Sequence, residues 1–277
     1  MTPLLFVIVV FLISIFAGFL GSLLGLGGGL IVIPALTLLL HVDIRLAIGA
    51  SIISVIATSS GAAAAYVREH LANIRVAMFL ELGTTMGAIT GAYLAGRVHP
   101  RFLYILFGAM LGYSALAMLR RKHAVSLDDS ISRVSEWLAL GSSYYDAARG
   151  ELVDYPVRRP LLGLALMYGA GTASGLLGIG SGALKVPAMD LGMGLPMKVS
   201  TATSNLMIGV TAAASAGLYF ARGQIDPFIA APVALGVLGG ALVGSRYLGR
   251  VEHKQLRRVF IIVLLVIAVQ MIVKGIR

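Results

Sequence analysis

Two short runs hold the residue types that could bind an ion inside an otherwise apolar chain. "SLLGLGGGLIVIP" spans Ser22 to Pro34, and "GLLGIGSGALKVP" spans Gly175 to Pro187. In each, consecutive main-chain amides, at Gly27, Gly28 and Gly29 and at Gly180, Ser181 and Gly182, can turn toward one point with almost no side chain in the way. An apolar helix that begins directly after such a break aims its free N–H groups and positive dipole end at that point. The chemistry is anion binding. Lys185 falls in the first turn of the second such helix and brings a full positive charge, where the aligned position of the first run is Val32. A lysine within an apolar segment is rare and usually functional. Pro34 and Pro187 lie about one turn further on, where the ring removes a hydrogen bond and fixes a bend, a structural role.

Hydroxyls and amides cluster at the starts of the next apolar segments: Ser51 and Ser54 in one half, and Ser200, Thr201, Thr203, Ser204 and Asn205 in the other. Single hydroxyls in helices are often satisfied by the i−4 carbonyl, so only the cluster "VSTATSN" carries weight, and it is expected to face a cavity. Ser51, Thr201, Ser204 and Asn205 are therefore assigned to the site. Glu81, within "VAMFLELGTTMG", is the other embedded charge, and its counterpart is Ala234. It is read as a coupling residue that carries a proton, against the simpler reading that it neutralises Lys185. For Lys185 the simpler readings are snorkelling to an interface or pairing with Asp190. Gly18, Gly87, Gly91, Gly240 and Gly244 are read as close-packing positions instead.

An enzyme reading is weaker. Ser181 and Lys185 stand four apart, as a Ser–Lys nucleophile pair would. Rhomboid-type chemistry needs a histidine on a partner helix, however, and His41, His70, His99, His123 and His253 all fall in loops or at segment ends. Cysteine is absent and no Walker or HExxH motif occurs, so the chain is expected to be no enzyme, to carry no cofactor or metal, and not to be ATP-driven.

These residues need elements to hold them. The chain has 277 residues, of which 58% are hydrophobic and 12% charged, and apolar runs of transmembrane length recur along it. The N-terminal run has no basic n-region and is longer than a signal-peptide core, so it reads as a retained first helix. Shifted against itself by 153 residues, the chain aligns positions 1–124 with 154–277 without a gap, with 29 identities. Thr58 meets Thr211, Tyr66 meets Tyr219, and loop charges recur, Arg45 meeting Lys198. The expected fold is an all-α polytopic membrane protein with two homologous four-segment halves, residues 1–119 and 160–277, the first segment of each being a glycine-broken or re-entrant hairpin. A polar linker, 120–159, joins them and has the alternation of a small β-hairpin.

Each half has a long segment (3–24; 160–177), a short one (29–40; 182–193) and three full spans (45–66, 76–95, 102–119; 198–220, 228–248, 256–274). A short segment of about 12 residues reaches only roughly 18 Å as a helix, too little to cross alone. If the long and short segments form a hairpin, loop Lys and Arg split 15 to 6 between the two faces; if they make one crossing the split is 12 to 9. The positive-inside rule favours the hairpin, hence inverted repeats, with both termini outside and the linker cytoplasmic.

The paired "GFLGSLLGLGGGLIVIPAL" and "GTASGLLGIGSGALKVPAM", each followed by a polar Ser/Thr-rich start to the next span, resemble the TauE/SafE sulfite-exporter family of permeases over nearly the whole chain. The resemblance implies transport of sulfur-containing or other small organic anions, such as sulfite, sulfonates or sulfoacetate, across a prokaryotic inner membrane. The expected mechanism is secondary transport about a midplane site. A channel-like anion exporter without ion coupling is the main alternative, and a non-transporting scaffold would leave Lys185 and Glu81 unexplained. The expected partners are a small anionic substrate, membrane lipid, a coupling proton and, where the carrier pairs with itself, a second copy. Nucleic acid is not among them, because a net charge of +10 on a membrane chain first means basic cytoplasmic loops.

Overall fold

The structure, a computed structural model, describes residues 2–119, 133–146, 150–247 and 253–276. Its main elements are helices, the form in which an apolar chain satisfies its own backbone groups away from water. In the first half these are α1 (Pro3–Leu24), α2 (Gly29–Pro34), α3 (Ile44–Arg68), α4 (Ile74–Ala95) and α5 (Pro100–Leu119). A small unit follows, with α6 (Arg133–Trp137), β1 (Ser142–Asp146) and β2 (Glu151–Tyr155). The second half contains α7 (Pro160–Leu177), α8 (Gly182–Pro187), α9 (Met197–Ala221), α10 (Pro227–Ser245) and α11 (His253–Ile276). Among the described residues, α1, α3, α7, α9 and α10 are long and apolar enough to cross a membrane. Polar side chains cap several starts: Asn73 accepts from the Val76 amide and Asp226 from the Phe228 amide.

The long and short segments fold back on each other. Val10 and Ser14 of α1 face Val32, Leu36 and Leu40 across one narrow gap, so the chain after Gly29 runs against the direction of α1. In the second half the Arg158 amide, just before α7, donates to the Met193 carbonyl at 2.9 Å. Directly after Pro34 and Pro187 the helix widens into one π turn, Ala35–Leu39 and Ala188–Gly192. The prolines thus mark a change of winding in a continuous segment.

Helix contacts recur at the offset of 153. A Cβ on Gly87 would lie 2.2 Å from the Tyr168 carbonyl oxygen, and one on Gly240 1.9 Å from that of Ile15. Gly18 meets Val237 as Gly171 meets Thr84. Gly91 and Gly244 close the same two seams, α4 on α7 and α10 on α1, so these glycines pack backbone against backbone. The outward faces of α1 and α4 leave Leu12, Phe16, Met78, Leu82 and Met86 uncovered by protein, apolar surface suited to lipid.

The linker unit is not a detached loop. Its strands pair antiparallel, Ser142 opposite Tyr155 and Asp146 opposite Glu151, while 120–132 and 147–149 lie outside the described residues. Asn73 donates through Nδ2 to the Leu140 carbonyl (2.9 Å) and to the Tyr155 hydroxyl (3.1 Å), and burial pushes the Tyr155 phenol pKa up. Lys198 corrects its reading as a recurring loop charge. It is fully buried at the start of α9 and bonded at 2.8 Å to Asp146, itself buried, whereas its counterpart Arg45 is exposed. The linker strand covers Lys198 and brings the carboxylate that burial of an ammonium requires.

Candidate functional site

The two glycine breaks meet in the interior. Gly25, Gly27, Gly178 and Gly180 all adopt positive φ, between 64° and 73°, which lets the chain reverse within four residues. Gly27 and Gly180 pack on the same two side chains, Val55 and Ile208, which are themselves related by the offset of 153. A Cβ on Gly182 would lie 2.1 Å from the Gly25 carbonyl oxygen. The tips are therefore in direct contact.

Each tip is held by the opposite half. Ser51 of α3 donates to the Gly178 carbonyl at 2.7 Å, and Ser204 of α9 donates to the Gly25 carbonyl at 2.9 Å. Tyr66 and Tyr219 close the long helices within their own halves, donating to the carbonyls of Ser22 (2.9 Å) and Gly175 (2.7 Å). These hydroxyls satisfy carbonyls that the helix ends leave open. Asn205 adds an Nδ2 bond to the Ser22 carbonyl at 2.7 Å, and the backbone of Thr201 packs on Gly25. The stretch "VSTATSN" is thus buried against the first tip. Even so, Ser200 Oγ, Thr201 Oγ1 and Asn205 Oδ1 are buried and have no hydrogen-bond partner among the described residues. Unmet polar groups inside a protein are costly, which makes them candidates for a ligand's contacts.

The halves part company at the third glycine position. Gly28 is right-handed (φ −58°), and its amide donates to Thr58 Oγ1 at 3.0 Å. Ser181 has φ 56°, a left-handed conformation that a side chain rarely adopts, and its hydroxyl turns back to the Gly180 carbonyl at 2.7 Å. The counterpart of Thr58 is occupied elsewhere. Thr211 Oγ1 accepts from Lys185 Nζ at 2.5 Å and lies 2.7 Å from Glu81 Oε1, to which it donates. Lys185 is fully buried, and Glu81 Oε2 completes an ion pair at 3.9 Å. Among the described residues, none accepts a hydrogen bond from the amides of Gly27, Gly29, Gly180 or Ser181.

Every residue singled out from sequence is inside the helical body, and the fold groups them unevenly. Gly27 to Gly29, Gly180 to Gly182 and Ser51 are at the meeting tips, with Thr201, Ser204 and Asn205 on the first. Lys185 and Glu81 form a cluster one turn into α8, where Lys185 faces Thr211 and lies 3.9 Å from the Glu81 carboxylate. Ser181 and Lys185 do not engage each other's side chains. Thr58, Thr211, Tyr66 and Tyr219 were not singled out for the site. Their signal was present all the same, because each is an identity at the offset of 153. A separate cavity of about 660 Å³ between α5, α7 and α8 is lined by Met110, Leu166, Leu184 and Leu191 among others, without a charged side chain, and suits acyl chains better than ions.

Comparison with known proteins points to a family of membrane transporters. A family model described as Sulfite exporter TauE/SafE matches residues 10–271. The probable membrane transporter protein YunE of Bacillus subtilis (strain 168) is 28% identical over 278 residues, covering 98% of each chain. YdhB of the same organism, also a probable membrane transporter protein, is 28% identical over 88% of this chain and 89% of its own. A probable membrane transporter protein of Xylella fastidiosa (strain 9a5c) is 26% identical over 92% and 90%. No solved structure gives a significant match.

Proposed function

Because the chain belongs to the TauE/SafE sulfite exporter family, a family of multi-pass membrane transporters, we propose that it is a secondary transporter of small sulfur-containing or organic anions, such as sulfite or sulfonates. The anion would sit near the membrane midplane where the two broken helices meet. Lys185 supplies the charge, and the free amides of Gly27, Gly29, Gly180 and Ser181 supply directional donors. Thr201 and Asn205 bring polar atoms that have no hydrogen-bond partner among the described residues. The observation that carries this reading is the burial of Lys185 one turn from the second tip, since a buried ammonium marks an ion pathway in a membrane chain.

In this reading the halves are inverted repeats in a prokaryotic inner membrane. Each hairpin returns to the side it came from, and three helices then cross, so the second half starts from the opposite face. That placement puts the linker on the face where 14 of the loop Lys and Arg gather, besides the buried Lys198, and the positive-inside rule makes that face the cytoplasmic one.

Lys185→Ala tests the site. Hydrogen bonds to charged groups contribute about 1.5–3 kcal/mol, so anion affinity, measured by titration calorimetry on purified protein, should fall by roughly 10- to 150-fold. Unchanged affinity would remove Lys185 from the site. In proteoliposomes, flux that ignores both a proton gradient and Glu81→Gln would identify an uncoupled, channel-like exporter.

A further inference from the structure

Glu81 and Lys185 are charges that the two halves do not share, and the fold joins them through a threonine that the halves do share. Glu81 Oε1 accepts from Thr85 at 3.1 Å and from Thr211 at 2.7 Å. Its other oxygen, Oε2, is buried, makes no hydrogen bond among the described residues, and faces Lys185 Nζ at 3.9 Å. Of three ammonium donors, Lys185 uses one, on Thr211. Two donors on the cation and one acceptor on the carboxylate are therefore unspent, although the groups stand next to each other.

No second cation competes for Glu81 within ion-pair distance among the described residues. On α7 the titratable group is Tyr168. On α9, Lys198 is bonded to Asp146 and Tyr219 to Gly175. On α4 itself, Arg75 reaches the Ala139 carbonyl and Tyr93 pairs with Arg97. Asp190 belongs to the π turn after Pro187.

We propose that Glu81 holds, in the empty carrier, the place on Lys185 that a substrate anion takes, and that the anion enters only when Glu81 carries a proton. This rests on reading Lys185 as the anion-binding group. The charges balance. Empty, the site holds one carboxylate and one ammonium. Loaded, it holds a carboxylic acid, the same ammonium and one monoanion, again neutral. A bound proton on Oε2 removes the repulsion toward the incoming anion, and Lys185 turns its two unspent donors to the new partner. One proton then moves with each monoanion and no net charge crosses. A dianion leaves the loaded site at −1, a penalty in low dielectric, so sulfonates and hydrogensulfite are favoured over sulfate.

Methanesulfonate is the probe, because it does not titrate near neutral pH and any pH dependence belongs to the protein. Calorimetry in two buffers of different ionisation enthalpy should count one proton taken up per methanesulfonate bound. Wherever binding takes up one proton, affinity should fall about tenfold per pH unit as pH rises, the slope of a single linked proton. Glu81→Gln should bind with no proton uptake and no slope, and sulfate should bind the wild-type protein more weakly. Binding without proton uptake, or an unaltered slope in Glu81→Gln, overturns the competition and leaves the anion site standing. Failure of both wild type and Glu81→Gln to bind methanesulfonate or sulfite at any pH overturns the anion site as well. The wild-type proton count decides the matter even where the variant folds poorly.

Discussion

The first hairpin tip and the second are built on one plan and finished differently. Both reverse through left-handed glycines, both lean on Val55 and Ile208, and each has a carbonyl held by a serine from the other half. The first tip then closes on itself, with the Gly28 amide taken by Thr58. At the second, Thr211 is drawn away by Lys185 and Glu81, and Ser181 is left in a strained conformation with a free amide. Packing is what the two tips share, and polar chemistry is where they differ.

The sharpest way to break the comparison is at the ends of α3 and α9, where exposed Arg45 faces buried Lys198 across the symmetry. Asp146→Ala would remove the carboxylate bonded to the buried Lys198 ammonium, a cost of about 3–5 kcal/mol, and thermal melting in detergent should show a large loss. Arg45→Ala should change melting little, because its charge is solvated. A small effect of Asp146→Ala would mean that the linker does not brace the second half. Ser51→Ala and Ser204→Ala test the shared part of the plan. Each removes one buried bond to a tip carbonyl and should cost about 1 kcal/mol, by nearly equal amounts. A clear inequality would show that the tips are not equivalently braced. The smallest change is Ser181→Gly, which gives the second tip the first tip's residue. It should raise stability by about 1 kcal/mol by relieving the left-handed strain, and altered anion affinity without altered melting would instead assign the serine to the substrate.

Much of this was legible before folding. Helix limits followed from apolar runs broken by glycine. The packing glycines followed from recurrence, since Gly87 and Gly240 hold one position in two copies. The site was read less completely. Glu81 and Lys185 stand 104 positions apart in the sequence, and nothing local says that they touch. Thr211 looked like one more small residue of a membrane helix. Lys198 looked like a loop charge because its partner, Asp146, is in a strand whose docking no periodicity records.

The sequence by itself determined the class of molecule, the recurrence at an offset of 153 and the places where the helices break. Each of these depends on local composition or on comparing the chain with itself. Only the tertiary structure decided which hydroxyl meets which tip, which lysine is buried by the linker, and that the two unshared charges form one cluster. Such contacts depend on the angle and register at which α3, α4, α8 and α9 cross. A shift of one residue along a helix turns a side chain by about 100°, so pairing belongs to the packed body and not to any one segment.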